Sequence, residues 1–372
     1  MPFGCPHPAS EGDGQRGMRR VATSRPASKI NARHADDDED AGRAVNQSVD
    51  ALLSVTNLTK TFPVRRSSWR DRAPSVVQAV SDVSFDVHRN ETLSLVGESG
   101  CGKSTTARCV LRIVEPTSGS INFDGVDLTA LAAEPLRTMR RRFQMVFQDP
   151  QASLNPRMTV GDIIGEPLIV HGSDRASTED RVGELLSLVQ LQPDDADRHP
   201  HQFSGGQRQR IGIARALALR PDLLALDEPV SALDVSIQAE IIRLLQRLRD
   251  ELGLAYLFIA HDLSVVRHLS DRVGVMYLGK FVETAPTAQL FTKPAHPYTT
   301  ALLSAAPIPD PLIERARAKI VLVGDPPSAA HPPSGCRFRT RCWKAQELCA
   351  QIEPPLQDLG DGHQVACHFP MW

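Results

Sequence analysis

The sequence predicts an α/β fold with a mainly parallel core sheet, and three observations carry that prediction. Short apolar runs at residues 223–226 and 254–260 suit strands buried on both faces. They alternate with segments of helical period, above all residues 236–252, where Ile237, Ile241, Leu244, Leu245, Leu248 and Leu252 form one stripe beside Arg243, Arg247 and Arg249. A glycine-rich turn stands between a strand and a helix, where an open parallel sheet presents its ligand.

In chain order, residues 1–50 are dense in charge, glycine and proline, with an acidic run at 36–40, and read as a disordered arm. Strand patterns follow at 52–58, 83–87 and 92–96, with a charged loop at 65–74. Residues 103–114 have helical spacing. After Phe291 prolines multiply and a shorter appended region begins, so the chain divides at about 51–291 and 292–372.

Composition narrows the function classes. The 372 residues are 41% hydrophobic and 23% charged, ordinary globular usage, and 42 Lys plus Arg against 44 Asp plus Glu leave a formal charge of -2. That balance gives no support for a nucleic-acid partner. The apolar run at 252–260 is far shorter than the roughly 20 residues a membrane helix requires. The first thirty residues contain no apolar secretion signal, so a cytoplasmic location is expected. Seven cysteines, an odd number, favour reduced thiols or ligands over a disulfide framework.

Gly97, Glu98, Ser99, Gly100, Cys101, Gly102, Lys103 and Ser104 fit G-x-x-x-x-G-K-[ST], and Thr105 follows. Glycines let successive backbone N–H groups face a phosphate, and the helix beginning near Lys103 adds its positive end. Lys103 is expected on the β- and γ-phosphates and the Ser104 hydroxyl on Mg2+. The apolar strand at 223–226 ends in Asp227 and Glu228. Beside a phosphate loop, Asp227 suits a water-mediated Mg2+ ligand and Glu228 a base for the attacking water.

Phe203-Ser204-Gly205-Gly206-Gln207-Arg208-Gln209-Arg210 resembles the signature of ABC (ATP-binding cassette) ATPases. Alone it reads as a helix cap with Ser204 as N-cap; in this order with the other motifs it marks the family. The resemblance implies an antiparallel β subdomain and a helical signature subdomain at about 150–215. It assigns Gln148 and His261 to catalysis, Gln148 also to Mg2+, and residues 231–234 to communication between paired sites. It also implies two stacked cassettes, with Ser204, Gly206 and Gln207 reaching the γ-phosphate on the partner. Phe62 occupies the place of an adenine-stacking aromatic; a core phenylalanine at a strand end is the other reading.

The resemblance runs from about Leu52 onward and is nearest to ATP-binding subunits of oligopeptide and dipeptide importers. His296-Pro297-Tyr298 with the following helix, Pro309-Asp310-Pro311, Pro326-Pro327, and Pro332-Pro333-Ser334-Gly335-Cys336 carry it. It implies ATP hydrolysis that powers peptide import at the cytoplasmic membrane face. The implied partners are a second ATPase subunit, two membrane permeases contacted by helices near 148–170, and an extracytoplasmic peptide-binding protein. Other cargo such as nickel or glutathione, or a soluble non-transport ATPase, are the alternatives. Cys336, Cys342, Cys349 and Cys367 lack tight C-x-x-C pairs; they read either as packed reduced thiols or, by the resemblance, as ligands of a [4Fe-4S] cluster. Cys101 and Cys109 read as structural.

Overall fold

A computed structural model describes residues 51–63, 76–306 and 319–372. The arm at 1–50, the charged loop at 65–74, Pro307 and the Pro309-Asp310-Pro311 motif lie outside the described residues. Two antiparallel strands come first, β1 (Ala51–Pro63) and β2 (Val76–His88), then β3 (Thr92–Val96) and α1 (Lys103–Val110). β4 (Ser118–Phe123) and β5 (Val126–Asp127) return to the first pair, giving a sheet of order β2-β1-β4-β5. After α2 (Ala133–Met139) and β6 (Phe143–Val146) comes a helical stretch: α3 (Pro150–Ser153), α4 (Val160–Val170), α5 (Arg175–Leu188) and α6 (Gly205–Leu217).

Strand and helix then alternate through β7 (Leu223–Asp227), α7 (Val235–Leu252), β8 (Ala255–Ile259), α8 (Leu263–Leu269) and β9 (Arg272–Tyr277). β10 (Lys280–Pro286), α9 (Thr287–Thr292), α10 (Pro297–Ala305), α11 (Glu347–Gln351), β11 (Gln357–Asp358) and β12 (Gln364–Val365) complete the chain. The second sheet has the order β11-β12-β10-β9-β3-β8-β7-β6. Its members from β9 to β6 run parallel, and β10, β12 and β11 add antiparallel pairs.

Every residue of β3, β7 and β8 is buried, as expected of strands covered on both faces. The two-residue period of a strand sorts them into two cores. Leu224, Leu226, Tyr256 and Phe258 join α6 and α7 on one face. Leu223, Ala225, Leu257 and Ile259 meet α1 and the antiparallel sheet on the other. On α7, Ile241, Leu244, Leu245 and Leu248 are buried as the stripe requires, and Ile242 joins them; Leu252 is exposed because the helix stops there at Gly253, which takes φ 67°. Its arginines fasten neighbouring elements: Arg247 donates to the Leu188 carbonyl at 2.8 Å, and Arg249 to the Thr92 hydroxyl and the Asp271 carboxylate, both at 3.1 Å.

Helix α1 is shorter than the predicted 103–114. It ends at Val110 because Arg112 adopts φ 48° and directs its guanidinium to the Leu131 carbonyl at 2.8 Å. The appended region adds strands to the core sheet, with β12 pairing β10. Its anchor is Glu283 on β10, a carboxylate with no solvent exposure. That group accepts the N–H groups of Ala295 and His296 at 2.7 and 2.9 Å and bonds His363 Nε2 at 2.7 Å. The six described cysteines are free thiols.

Candidate active site

Four parallel neighbours, β3, β8, β7 and β6, end at one edge of the sheet, and each hands its next residues to the same place. β3 runs into the glycine loop, β6 delivers Gln148, β7 delivers Asp227 and Glu228, and β8 delivers His261. A cavity of about 460 Å³ opens there. Ser99, Gly100, Gly102, Lys103, Ser104 and Thr105 line one wall, and Gln148, Glu228 and His261 face them.

The loop glycines are dictated by space. A Cβ on Gly97 would meet the Met276 carbonyl oxygen at 2.2 Å, and one on Gly102, at φ 108°, would meet the Ala79 carbonyl oxygen at 2.2 Å. Lys103 is buried, and its Nζ donates to the carbonyls of Gly97 at 2.8 Å and Glu98 at 3.1 Å. The ammonium is thus held inside the loop that a phosphate would enter.

Behind the loop, Ser104 Oγ donates to Asp227 Oδ1 at 2.7 Å. Asp227 is fully buried; burial pushes its carboxyl above the usual range, against the Ser104 hydrogen bond and the charges of Arg108 and Lys103. Its Oδ2 has no hydrogen-bond partner among the described residues and sees the Arg108 guanidinium at 3.5 Å. A hydroxyl, a carboxylate and an unsatisfied buried oxygen form a hard donor set that fits Mg2+.

Glu228 sits at φ 46°, a left-handed turn that swings its carboxylate out of line with the strand, while its N–H donates to the Ile259 carbonyl at 3.0 Å. Its Oε2 accepts from Gln148 Nε2 at 3.0 Å and lies 3.2 Å from His261 Nδ1. The three residues that the sequence singles out for catalysis therefore meet at one carboxylate oxygen.

Ser204, Gly206 and Gln207 face a different cavity, of about 380 Å³, together with Arg210, Ile237 and Glu240. Ser204 caps α6: its N–H donates to Gln207 Oε1 at 2.9 Å and its Oγ accepts the Gln207 N–H at 3.3 Å, a capping box. A Cβ on Gly206 would meet Ile237 Cγ2 at 2.5 Å, so glycine lets α6 approach α7. Within one chain the signature does not share the glycine-loop cavity.

Phe62 is partly exposed, under the Lys60 ammonium at 4.9 Å; it is not in the cavity wall, but its register partner Val77 is. Gly97, Glu98 and Cys101 of the loop also stand outside the wall. Glu98 gives its N–H to the Tyr298 hydroxyl at 2.8 Å and its carboxylate to Arg341 at 2.7 Å. Cys101 and Cys109 are buried, and burial raises both thiols, Cys109 to about 11.

The four C-terminal cysteines come within electrostatic reach of one another: Cys336 senses Cys367, Cys349 and Cys342, while burial raises its thiol to about 11. Among the described residues no three or more His, Cys, Asp or Glu close on a single ion. Sequence reasoning missed Arg108, Ala329 in the cavity wall, and the Tyr298 and Arg341 contacts. Arg108 was within reach of it, lying four residues after Ser104 and so on the same helix face.

Residues 80–231 match the family model described as ABC transporter, and residues 282–349 match the oligopeptide/dipeptide transporter C-terminal region. The chain is 52% identical over 320 residues to the probable peptide ABC transporter ATP-binding protein y4tS of Sinorhizobium fredii, covering 86% of this chain and 90% of that protein. It is 51% identical over 328 residues to the oligopeptide transport ATP-binding protein AppF of Bacillus subtilis, covering 88% and 99%. Among solved structures, the dimeric post-hydrolysis state of the ATP-binding cassette MJ0796 bound to ADP and Pi superposes with TM-score 0.56 at 29% identity. That match covers 63% of this chain and 98% of the cassette.

Proposed function

From the premise that the chain belongs to the ATP-binding proteins of peptide ABC transporters, we propose that it hydrolyses ATP to power import of oligopeptides or dipeptides through separate membrane subunits. The observation that carries this reading is the convergence of Gln148 and His261 on Glu228, across one cavity from Lys103 and Ser104.

In the proposed reaction the loop amides and Lys103 neutralise the triphosphate, and Ser104 with Asp227 would hold Mg2+. Bound there, Mg2+ supplies positive charge against the phosphate oxygens. Glu228 takes a proton from a water whose oxygen bonds to the γ-phosphorus; the bond from that phosphorus to the β,γ-bridging oxygen breaks, and ADP leaves with the electron pair. Gln148 and His261 fix the Glu228 carboxylate, and Gln148 is proposed to turn toward the metal as the site fills. Ser204, Gly206 and Gln207 act on the triphosphate of a second cassette, which their separate cavity and the dimeric relative support. Phe62 is proposed to move onto the adenine from its place beside Val77.

Among the described residues no helix is long and apolar enough to cross a membrane. We place the chain peripherally on the cytoplasmic face, against two permeases. A groove of about 730 Å³ lined by Phe147, Gln148, Ala152, Glu166 and Pro167 supports docking there, as do the exposed Ile169 and Val170. An extracytoplasmic peptide-binding protein completes the proposed assembly.

Cys336, Cys342, Cys349 and Cys367 would be the ligands of a [4Fe-4S] cluster, a reading supported by the electrostatic reach of the other three on Cys336. When bound, it would cross-link the C-terminal segment.

The reading is tested by reconstituting the chain with its neighbouring permeases in vesicles. Peptide uptake should require ATP and disappear with Lys103→Ala. Uptake that persists with this variant refutes the reading.

A further inference from the structure

The glycine loop contains an acid, Glu98, in a segment whose task is to receive a polyanion. A free carboxylate there would repel a triphosphate across a few ångströms of low-dielectric protein. Glu98 is not free: its carboxylate accepts Arg341 Nη1 at 2.7 Å, and Arg341 is only 8% exposed in its side chain. Burial works against the Arg341 charge, yet Glu98 and Tyr277 together outweigh it and raise the pKa of the guanidinium. The same residue's backbone N–H is engaged by the Tyr298 hydroxyl.

Both partners belong to the C-terminal region, and Tyr298 is buried among aromatic rings. Tyr298, on α10, and Phe338 stand 5.3 Å apart ring to ring, and each meets Tyr277 at the end of β9, at 4.8 and 5.2 Å. Arg337, one residue before Phe338, donates to Gln78 Oε1 at 2.8 Å and to the Leu278 carbonyl. The Gln78 N–H in turn donates to the Ala329 carbonyl at 3.0 Å. Glu98 of the phosphate loop is therefore held by two residues far along the chain, Tyr298 and Arg341.

We propose that Arg341 and Tyr298 are positioning residues of the ATP site: Arg341 masks the Glu98 charge and turns it away from the triphosphate, and Tyr298 fixes the loop backbone. This deepens the ATP-site reading and rests on it.

The test is mant-ATP binding, with Mg2+, to the full-length chain. Arg341→Gln frees the Glu98 carboxylate and should weaken binding about tenfold. Adding Glu98→Gln to that variant should recover most of the loss, a suppression that a purely structural role of Arg341 would not produce. Tyr298→Phe, which keeps the ring packing, should weaken binding several-fold in protein that is still folded at the assay temperature, and covers the case in which Arg341→Gln fails to fold. Unchanged binding in Arg341→Gln, or a further loss in the double variant, overturns the masking role. Unchanged binding in Tyr298→Phe overturns the bracing role. Wild-type binding abolished by Lys103→Ala shows the site itself intact in these cases; a wild-type chain that does not bind mant-ATP removes the underlying reading and this proposal with it.

Discussion

Ser104 Oγ and Asp227 Oδ1 lie 2.7 Å apart, joining the first turn of α1 to the end of β7. The bond satisfies one oxygen of a fully buried carboxylate, and the other has no hydrogen-bond partner among the described residues.

Ser104→Ala removes a proposed metal ligand and the hydroxyl that donates to Asp227 Oδ1. Leaving a buried acceptor unmade costs about 1–3 kcal/mol, so the unfolding midpoint should fall. The sharper expectation is that Mg2+ no longer enhances nucleotide affinity, measured by titrating mant-ATP with and without the metal. Equal enhancement in variant and wild type would contradict the assigned metal site.

Glu228→Gln preserves the shape of the side chain and still accepts from Gln148, but it cannot take the proton. Loss of a general base costs about 10²–10⁴-fold, so turnover should collapse while ATP binding persists. Size exclusion with ATP should then show an accumulated pair of cassettes. Turnover near wild type would sink the base assignment.

His296 gives a pH expectation. It is buried, its Nδ1 accepts the Tyr298 N–H at 3.0 Å, and burial pushes its pKa down from 6.5 to about 4, with Glu283 opposing. The folded state thus prefers the neutral ring. Its contribution is complete above pH 6.5 and is lost as pH falls from there toward about 4, because the unfolded chain binds the proton first. The ceiling is roughly 3 kcal/mol at 1.36 kcal/mol per pH unit. His296→Asn, which retains an acceptor for the Tyr298 N–H, should flatten denaturant midpoints over that window; an unchanged slope would rule His296 out.

Periodicity made the core legible: residues 223–226 and 254–260 are interior strands because nothing in them needs water, and α7 buries the middle of the predicted stripe, with Ile237 half-buried and Leu252 exposed at its two ends. The phosphate loop, Asp227 and Glu228 were legible as a spacing pattern at strand ends. What periodicity could not show was long-range pairing. Glu98 looks like one more variable loop residue until Arg341, on the far side of the chain, is folded against it. Glu283 likewise reads as an acid in a β-strand, and its burial makes sense only with His363 and the N–H groups of Ala295 and His296 beside it. The strand pairing of the C-terminal region was hidden for the same reason, since β11 and β12 are too short for an alternation signal.

The signature serine has one observed role and one proposed role, which one substitution can separate. Ser204 caps α6 within its own chain, and it is proposed to donate to a phosphate held by the second cassette. Ser204→Ala confounds them, since a lost N-cap alone costs about 1 kcal/mol. Ser204→Asp does not, because aspartate is as good an N-cap as serine, yet it sets a carboxylate against the partner's γ-phosphate, where like charges repel. The unfolding midpoint of Ser204→Asp should therefore match wild type, and mant-ATP affinity of the unpaired chain should be unchanged, since the glycine-loop cavity does not include Ser204. ATP-driven pairing and steady-state hydrolysis in the assembled transporter should fall by about 10²-fold or more, the scale of losing a preorganised phosphate donor. Hydrolysis retained in Ser204→Asp would confine the signature to helix capping and remove the shared-site arrangement.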